Sequence, residues 1–129
     1  MKHCLIVFLG SGLGGMARHL LNNFVTAIPG GGFPWGILAI NISGSTAMGL
    51  VAGWFANRGY ASGDVRLFLT TGILGGYTTF SAFSMDAALL YEHRQPGLAA
   101  TYVAASVVLS ILGLFAGLWA MRLASSAFS

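Results

Sequence analysis

At 129 residues the chain has room for one domain, read here as residues 1–129. Only 7% of the residues are charged and 56% are hydrophobic, against about 25% charged in a soluble protein, so the chain belongs in a membrane. Its net charge of +3 is spread over segment ends without a basic stripe, which excludes a nucleic-acid partner, and the lone Cys4 excludes an intrachain disulfide or a Cys-pair metal site.

Four apolar segments follow one another at residues 5–25, 35–55, 67–90 and 98–123. Each reaches the roughly 20 residues a helix needs to cross the hydrocarbon core. The chain is therefore predicted to be an all-α integral membrane protein with four transmembrane helices. The start resembles a signal peptide, but no A-x-A-type site follows and the apolar run continues to Arg18, so a retained helix is expected. The connectors at 29–34, 57–64 and 92–96 are short and rich in helix breakers. Trp35, Trp54, Tyr60, Tyr91 and Trp119 fall near segment ends, as interfacial anchors do. An even number of spans puts both termini on one side. Lys2, Arg58, Arg66 and Arg122 lie on that side, Arg18 and Arg94 on the other. This weak bias leans towards cytoplasmic termini and permits insertion both ways.

In the first segment, residues 10–15 satisfy G-x-G-x-x-G, but the acidic residue of a dinucleotide fold is missing, since the first one is Asp64. Arg18 sits near the far interface. It reads either as a side chain snorkelling to headgroups or as a vestibule charge that draws anions. In the second segment Asn41 leads a helical face continued by Ser45, Gly49 and Gly53. A lone asparagine can bond a neighbouring helix, or it can donate two N–H bonds to an anion without a buried charge.

Residues 70–84, TTGILGGYTTFSAFS, place glycines and hydroxyls where leucine would be ordinary in a span. Glycine is free in φ and threonine is β-branched, so the third helix is predicted to break near Gly75 to Thr79. Unwound backbone at membrane depth needs protein, an ion or water to satisfy it, so the break is a candidate ion site. Beyond it Phe80 and Phe83 share a face, with Ser81 and Ser84 on the next stripe. Phenyl edges are positive and suit a small anion, although two core aromatics on a packing helix would look the same. Asp86, the acidic residue deepest in a span, is expected to be structural, stabilised by water or Arg94.

Tyr102, Ser106 and Ser110 recur every four residues in the fourth segment and form one polar stripe. Small-x-x-x-small pairs such as Gly10/Gly14 and Gly113/Gly117 fit close helix packing. Four short helices scarcely enclose a polar path, so an oligomer is expected. The histidines at 3, 19 and 93 are too scattered for a metal triad, and no catalytic triad or carboxylate pair can be assembled, so no enzyme is expected.

Residues 71–84 match TG-x-x-GG-x-TTFS-x-FS at every fixed position, which resembles the third-helix signature of the Fluc fluoride channels, also called CrcB proteins. Gly14 to Arg18 is similar to that family's first-helix G-A-x-x-R element, and Asn41 to Ser45 to its N-x-x-G-S element. The resemblance implies a fluoride-selective channel for passive efflux, conferring fluoride resistance, in the cytoplasmic membrane of a bacterium. It further implies an antiparallel homodimer in lipid, with two pores and a structural Na⁺ at its centre held by the backbone carbonyls of Gly75 and Thr78. The fluoride pathway would use Arg18, Asn41, Thr79, Phe80, Ser81, Phe83, Ser84, Tyr102, Ser106 and Ser110. Met16, His19 and Ile37 stand where the family has alanine, an aromatic residue and threonine. Two rival readings fit less of the chain. A proton-coupled drug exporter needs a carboxylate in segment one, which has none, and a structural subunit leaves the hydroxyl stripe unexplained.

Overall fold

The computed structural model describes residues 1–27, 32–58 and 62–127. Tyr60 and the Pro29-Gly30-Gly31 part of the first connector lie outside them. The described residues form helices α1 (Lys2–Thr26), α2 (Trp35–Arg58), α3 (Gly63–Leu67), a π-helical stretch (Phe68–Leu74), α4 (Gly75–Tyr77), α5 (Phe80–Glu92) and α6 (Pro96–Ala127). Among them α1, α2 (to Asn57) and α6 are single helices long and apolar enough to cross a membrane. The third apolar segment starts at the last residue of α3 and is assembled from the π stretch, α4 and α5. The protein is a multi-pass, all-helical membrane protein.

Backbone contact sorts these elements into two pairs. A Cβ on Gly10 would meet Gly72 Cα at 2.7 Å, one on Gly76 would meet Ser11 O at 2.6 Å, and one on Gly14 would run into the Ile73 carbonyl. Glycine thus lets α1 touch the π stretch and α4 main chain to main chain. The second pair, α2 and α6, is seamed in the same way by Gly49 against the Leu114 carbonyl and Gly117 against the Thr46 carbonyl. In lipid the gain from such contact is dispersion and local hydrogen bonding rather than expulsion of water. Asn57 Nδ2 adds a bond to Met121 O at 2.9 Å.

A small core of Ile37, Leu38, Ile40, Phe83, Leu90, Ala99 and Tyr102 joins α2, α5 and α6. Elsewhere large apolar side chains point outward, among them Phe8, Leu20 and Phe24 on α1 and Phe115 on α6, as a lipid-facing surface requires. The turn from α5 to α6 is closed by Gln95 N–H donating to Leu90 O and Arg94 N–H to Tyr91 O, both at 3.0 Å. Arg94 takes φ 59°, the left-handed residue this closure needs. At the other end of the molecule Asp64 pairs with Lys2 and, at 3.3 Å, with His3. The Lys2 hydrogen bond, helped by His3, holds the Asp64 carboxyl below its ordinary value.

Candidate functional site

Helical geometry runs through Gly75, Gly76 and Tyr77 and then stops. Thr78 (ψ 156°) and Thr79 (φ −151°, ψ 120°) are extended, and α5 starts at Phe80. Thr78 N–H still closes the preceding turn on Leu74 O at 3.0 Å. The next N–H, on Thr79, donates instead to Asn41 Oδ1 at 2.9 Å, while Asn41 Nδ2 donates to Thr79 O at 3.0 Å. A continuous helix would use the Thr79 N–H on the Gly75 carbonyl, so that carbonyl loses its helical donor. Thr79 Oγ1 then accepts from Ala82 N at 3.2 Å and caps α5.

Beside the extended pair lies an open, mostly apolar cleft of about 270 Å³. Asn41 and Ser45 of α2, Thr78, Thr79, Phe80 and Phe83 of the third segment, and Ser106, Val107, Ser110 and Ile111 of α6 line it. The rings of Phe80 and Phe83 lie 5.3 Å apart, tilted by 48°. They differ in setting: Phe80 is 78% exposed and Phe83 only 8%. Ser106 Oγ and Ser110 Oγ are enclosed, and neither makes a hydrogen bond of acceptable geometry. Ser106 does lie close enough to Tyr102 to influence its hydroxyl. In a helix a serine ordinarily satisfies itself on the preceding turn, as Ser84 does on Phe80 O at 2.9 Å. Two enclosed donors left open are unusual.

On the other side of Thr79 a second, more polar cleft of about 320 Å³ is lined by Gly15, Arg18, His19, Asn22, Ile37, Thr79, Ser81 and Ala82. Arg18 reaches from it towards the Thr78 carbonyl at 3.5 Å. Ser81 Oγ and Thr79 Oγ1 are 3.2 Å apart. Thr79 is thus common to both clefts.

Not every predicted residue joins these clefts. Tyr102 is fully buried against Phe83 and Phe33, with ring centroids at 5.4 and 5.6 Å, and its hydroxyl donates to Asp86 Oδ2 at 3.3 Å. That bond makes Tyr102, rather than Arg94, the partner of Asp86, and turns the tyrosine hydroxyl away from the cleft that Ser106 and Ser110 line. Asp86 borders a third hollow with Phe33 and His93. Ser84 lines neither cleft. Ser45 and Thr78 also line the cleft, although the sequence placed Ser45 only on the helical face led by Asn41 and Thr78 only as a carbonyl ligand; the four-residue step from Asn41 to Ser45 was the available signal. Tyr77 OH and Ser43 Oγ, 2.9 Å apart, had no such signal.

The profile of the family described as "CrcB-like protein, Camphor Resistance (CrcB)" matches residues 5–118. The chain belongs to the CrcB-like family. It is 61% identical over 118 residues to the fluoride-specific ion channel FluC of Rhodopseudomonas palustris (strain BisB5), covering 92% of this chain and 95% of that protein. Identity to the fluoride-specific ion channel FluC 2 of Nitrobacter hamburgensis is 56% over 118 residues, with the same coverage. To FluC of Methylobacterium nodulans it is 53% over 122 residues, 95% of this chain and 98% of that one. All the elements described above except the end of α6 fall within or overlap the CrcB-like match.

Proposed function

We propose that this chain is a fluoride-selective ion channel, not an enzyme, that lets fluoride leave passively across the cytoplasmic membrane of a bacterium. Membership of the CrcB-like family supports the reading, and one observation carries it at the level of the site. The cleft holds the enclosed Ser110 hydroxyl without a partner and the Ser106 hydroxyl next to Tyr102, beside a phenylalanine pair and Asn41. Open donors and ring edges in an apolar wall suit a small, strongly hydrated anion, because they replace its water without a fixed positive charge that would trap it. Fluoride accepts hydrogen bonds far more strongly than chloride, so the same wall disfavours chloride. Thr79, Ser81 and Arg18 belong to the polar cleft on the far side of Thr79, which we assign as the entrance, with Arg18 raising local anion concentration. Ser84 and Tyr102 stay at the margin of the pathway.

The unit is proposed to be an antiparallel homodimer. The cleft is open, and Phe80, one of the residues that line it, is largely exposed; a second copy would complete it. Gly75 and Thr78 fit a structural Na⁺ at the dimer centre: the Gly75 carbonyl has lost its helical donor to Asn41, and the Thr78 carbonyl is met only at 3.5 Å by Arg18. Main-chain oxygens suit such a hard cation, whose positive charge, when bound, ties the two breaks together.

The test is efflux from liposomes loaded with KF or KCl, followed by an anion electrode. Rapid fluoride efflux with chloride near background is expected. Comparable chloride efflux, or strict dependence on a proton gradient, would overturn the channel reading.

A further inference from the structure

Asn41 makes both of its recorded hydrogen bonds to one residue, Thr79, accepting from its N–H at 2.9 Å and donating to its carbonyl at 3.0 Å. This is the pairing a neighbouring β-strand offers an extended residue, supplied here by a side chain of α2 to a residue 38 positions away. The pairing also fixes the amide, because flipping it would set NH₂ against N–H and oxygen against oxygen. We infer that Asn41 is a positioning residue: it holds Thr79 out of the helix and, being locked, can present only its remaining N–H to the cleft it lines.

Three observations converge on this. Gly75 and Gly76 are helical, so glycine flexibility alone does not make the break. The extended residues are Thr78 and Thr79, the second being the one Asn41 clasps. One turn along α2, a Cβ on Gly44 would run into the Thr78 side chain, so α2 backbone and threonine are in contact just where the amide reaches across. An acceptor turned towards the cleft would repel an anion. Binding Oδ1 to Thr79 N–H removes that option and leaves an orientation with donor character only. The consequence for anions rests on the channel reading; the positioning itself does not.

The experiment uses the full chain, purified as it assembles, in lipid nanodiscs and fluoride-free buffer. Exchange of the Thr79 amide hydrogen is measured by NMR in the parent, Asn41→Ala and Asn41→Asp, and fluoride efflux is measured on the same proteins. At acidic pH the protonated aspartate keeps both an oxygen that accepts from Thr79 N–H and an O–H that donates to Thr79 O, whereas alanine keeps neither. Exchange at Thr79 is expected to rise roughly tenfold or more in Asn41→Ala, the scale of one lost buried hydrogen bond, and to stay within about threefold of the parent in Asn41→Asp. Efflux should fall in both. Should the alanine variant not purify, Asn41→Val supplies the same loss of acceptor. Parental exchange in both variants would overturn the inference and leave Asn41 an anion donor only. Loss of protection in both would overturn it too, since the acceptor would then not be what holds Thr79. A parent with a protected Thr79 amide and no fluoride efflux would sink the channel reading and leave the positioning role standing.

Discussion

An enclosed serine hydroxyl with nothing to bond ordinarily lowers stability by about 1–3 kcal/mol. Ser110 is in that position, so its methyl replacement discards a penalty along with a donor. Ser110→Ala is expected to raise stability by up to about 1 kcal/mol while slowing fluoride efflux. Thermal unfolding in detergent and liposome efflux measure the two halves, and a loss of more than about 1 kcal/mol would mean that the hydroxyl serves the fold. The phenylalanines should separate in a similar way. Phe83 is buried between Phe80 and Tyr102, and Phe83→Ile should lose about 1–2 kcal/mol of packing as well as conduction. Phe80 is largely uncovered in the single chain, and Phe80→Ile should cost under about 0.5 kcal/mol yet still cut efflux. Equal stability losses in the two variants would refute this division.

Between helices, fit depends on missing methyl groups. Gly14→Ala would drive a Cβ into the Ile73 carbonyl and to 2.8 Å from Tyr77 N. Because backbone cannot step aside cheaply, a loss of about 1–3 kcal/mol is expected, the usual range for overpacking. Gly12, on the same helix, has open space around it, so Gly12→Ala should be neutral or slightly stabilising through helix propensity. Melting curves of the two variants side by side make the comparison, and equal behaviour would contradict the seam. The helical class and the three single helices long enough to cross a membrane were legible because hydropathy and length are local properties of the chain. The site of the extended residues was harder to read: glycine signals permission to bend, but Gly75 and Gly76 stay helical and the clasp comes from Asn41, far away in sequence. The π-helical stretch left no local trace either, lying where α1 presses glycine on glycine. By contrast, the Tyr102–Asp86 bond could have been anticipated. Both residues stand eight positions from Arg94, at the turn between α5 and α6, and a tight helical hairpin brings such equidistant partners together.

At the scale of the whole molecule, the proposed antiparallel pairing is tested by orientation. A single cysteine introduced at Ser129 in Cys4→Ser protein, treated with an impermeant reagent in intact cells, is expected to label in roughly half the chains. Labelling from one side only would rule out an antiparallel homodimer of this sequence. The weak four-to-two bias of the basic residues between the two sides permits insertion both ways, and it is legible without any coordinates. Which surface each copy turns to the other is not, since lipid and protein both accept apolar side chains.

The open flank of the hydroxyl-lined cleft makes transport a question of mass action. In the proposed dimer a lone chain supplies one wall of the passage, and acyl tails can lie against it as readily as another helix. When chains are scarce in the bilayer and mostly unpaired, the number of conducting units then grows with the square of their surface density rather than in proportion to it. A cell carrying few copies would gain little protection from each, and would gain it steeply once synthesis passed the density at which chains find one another.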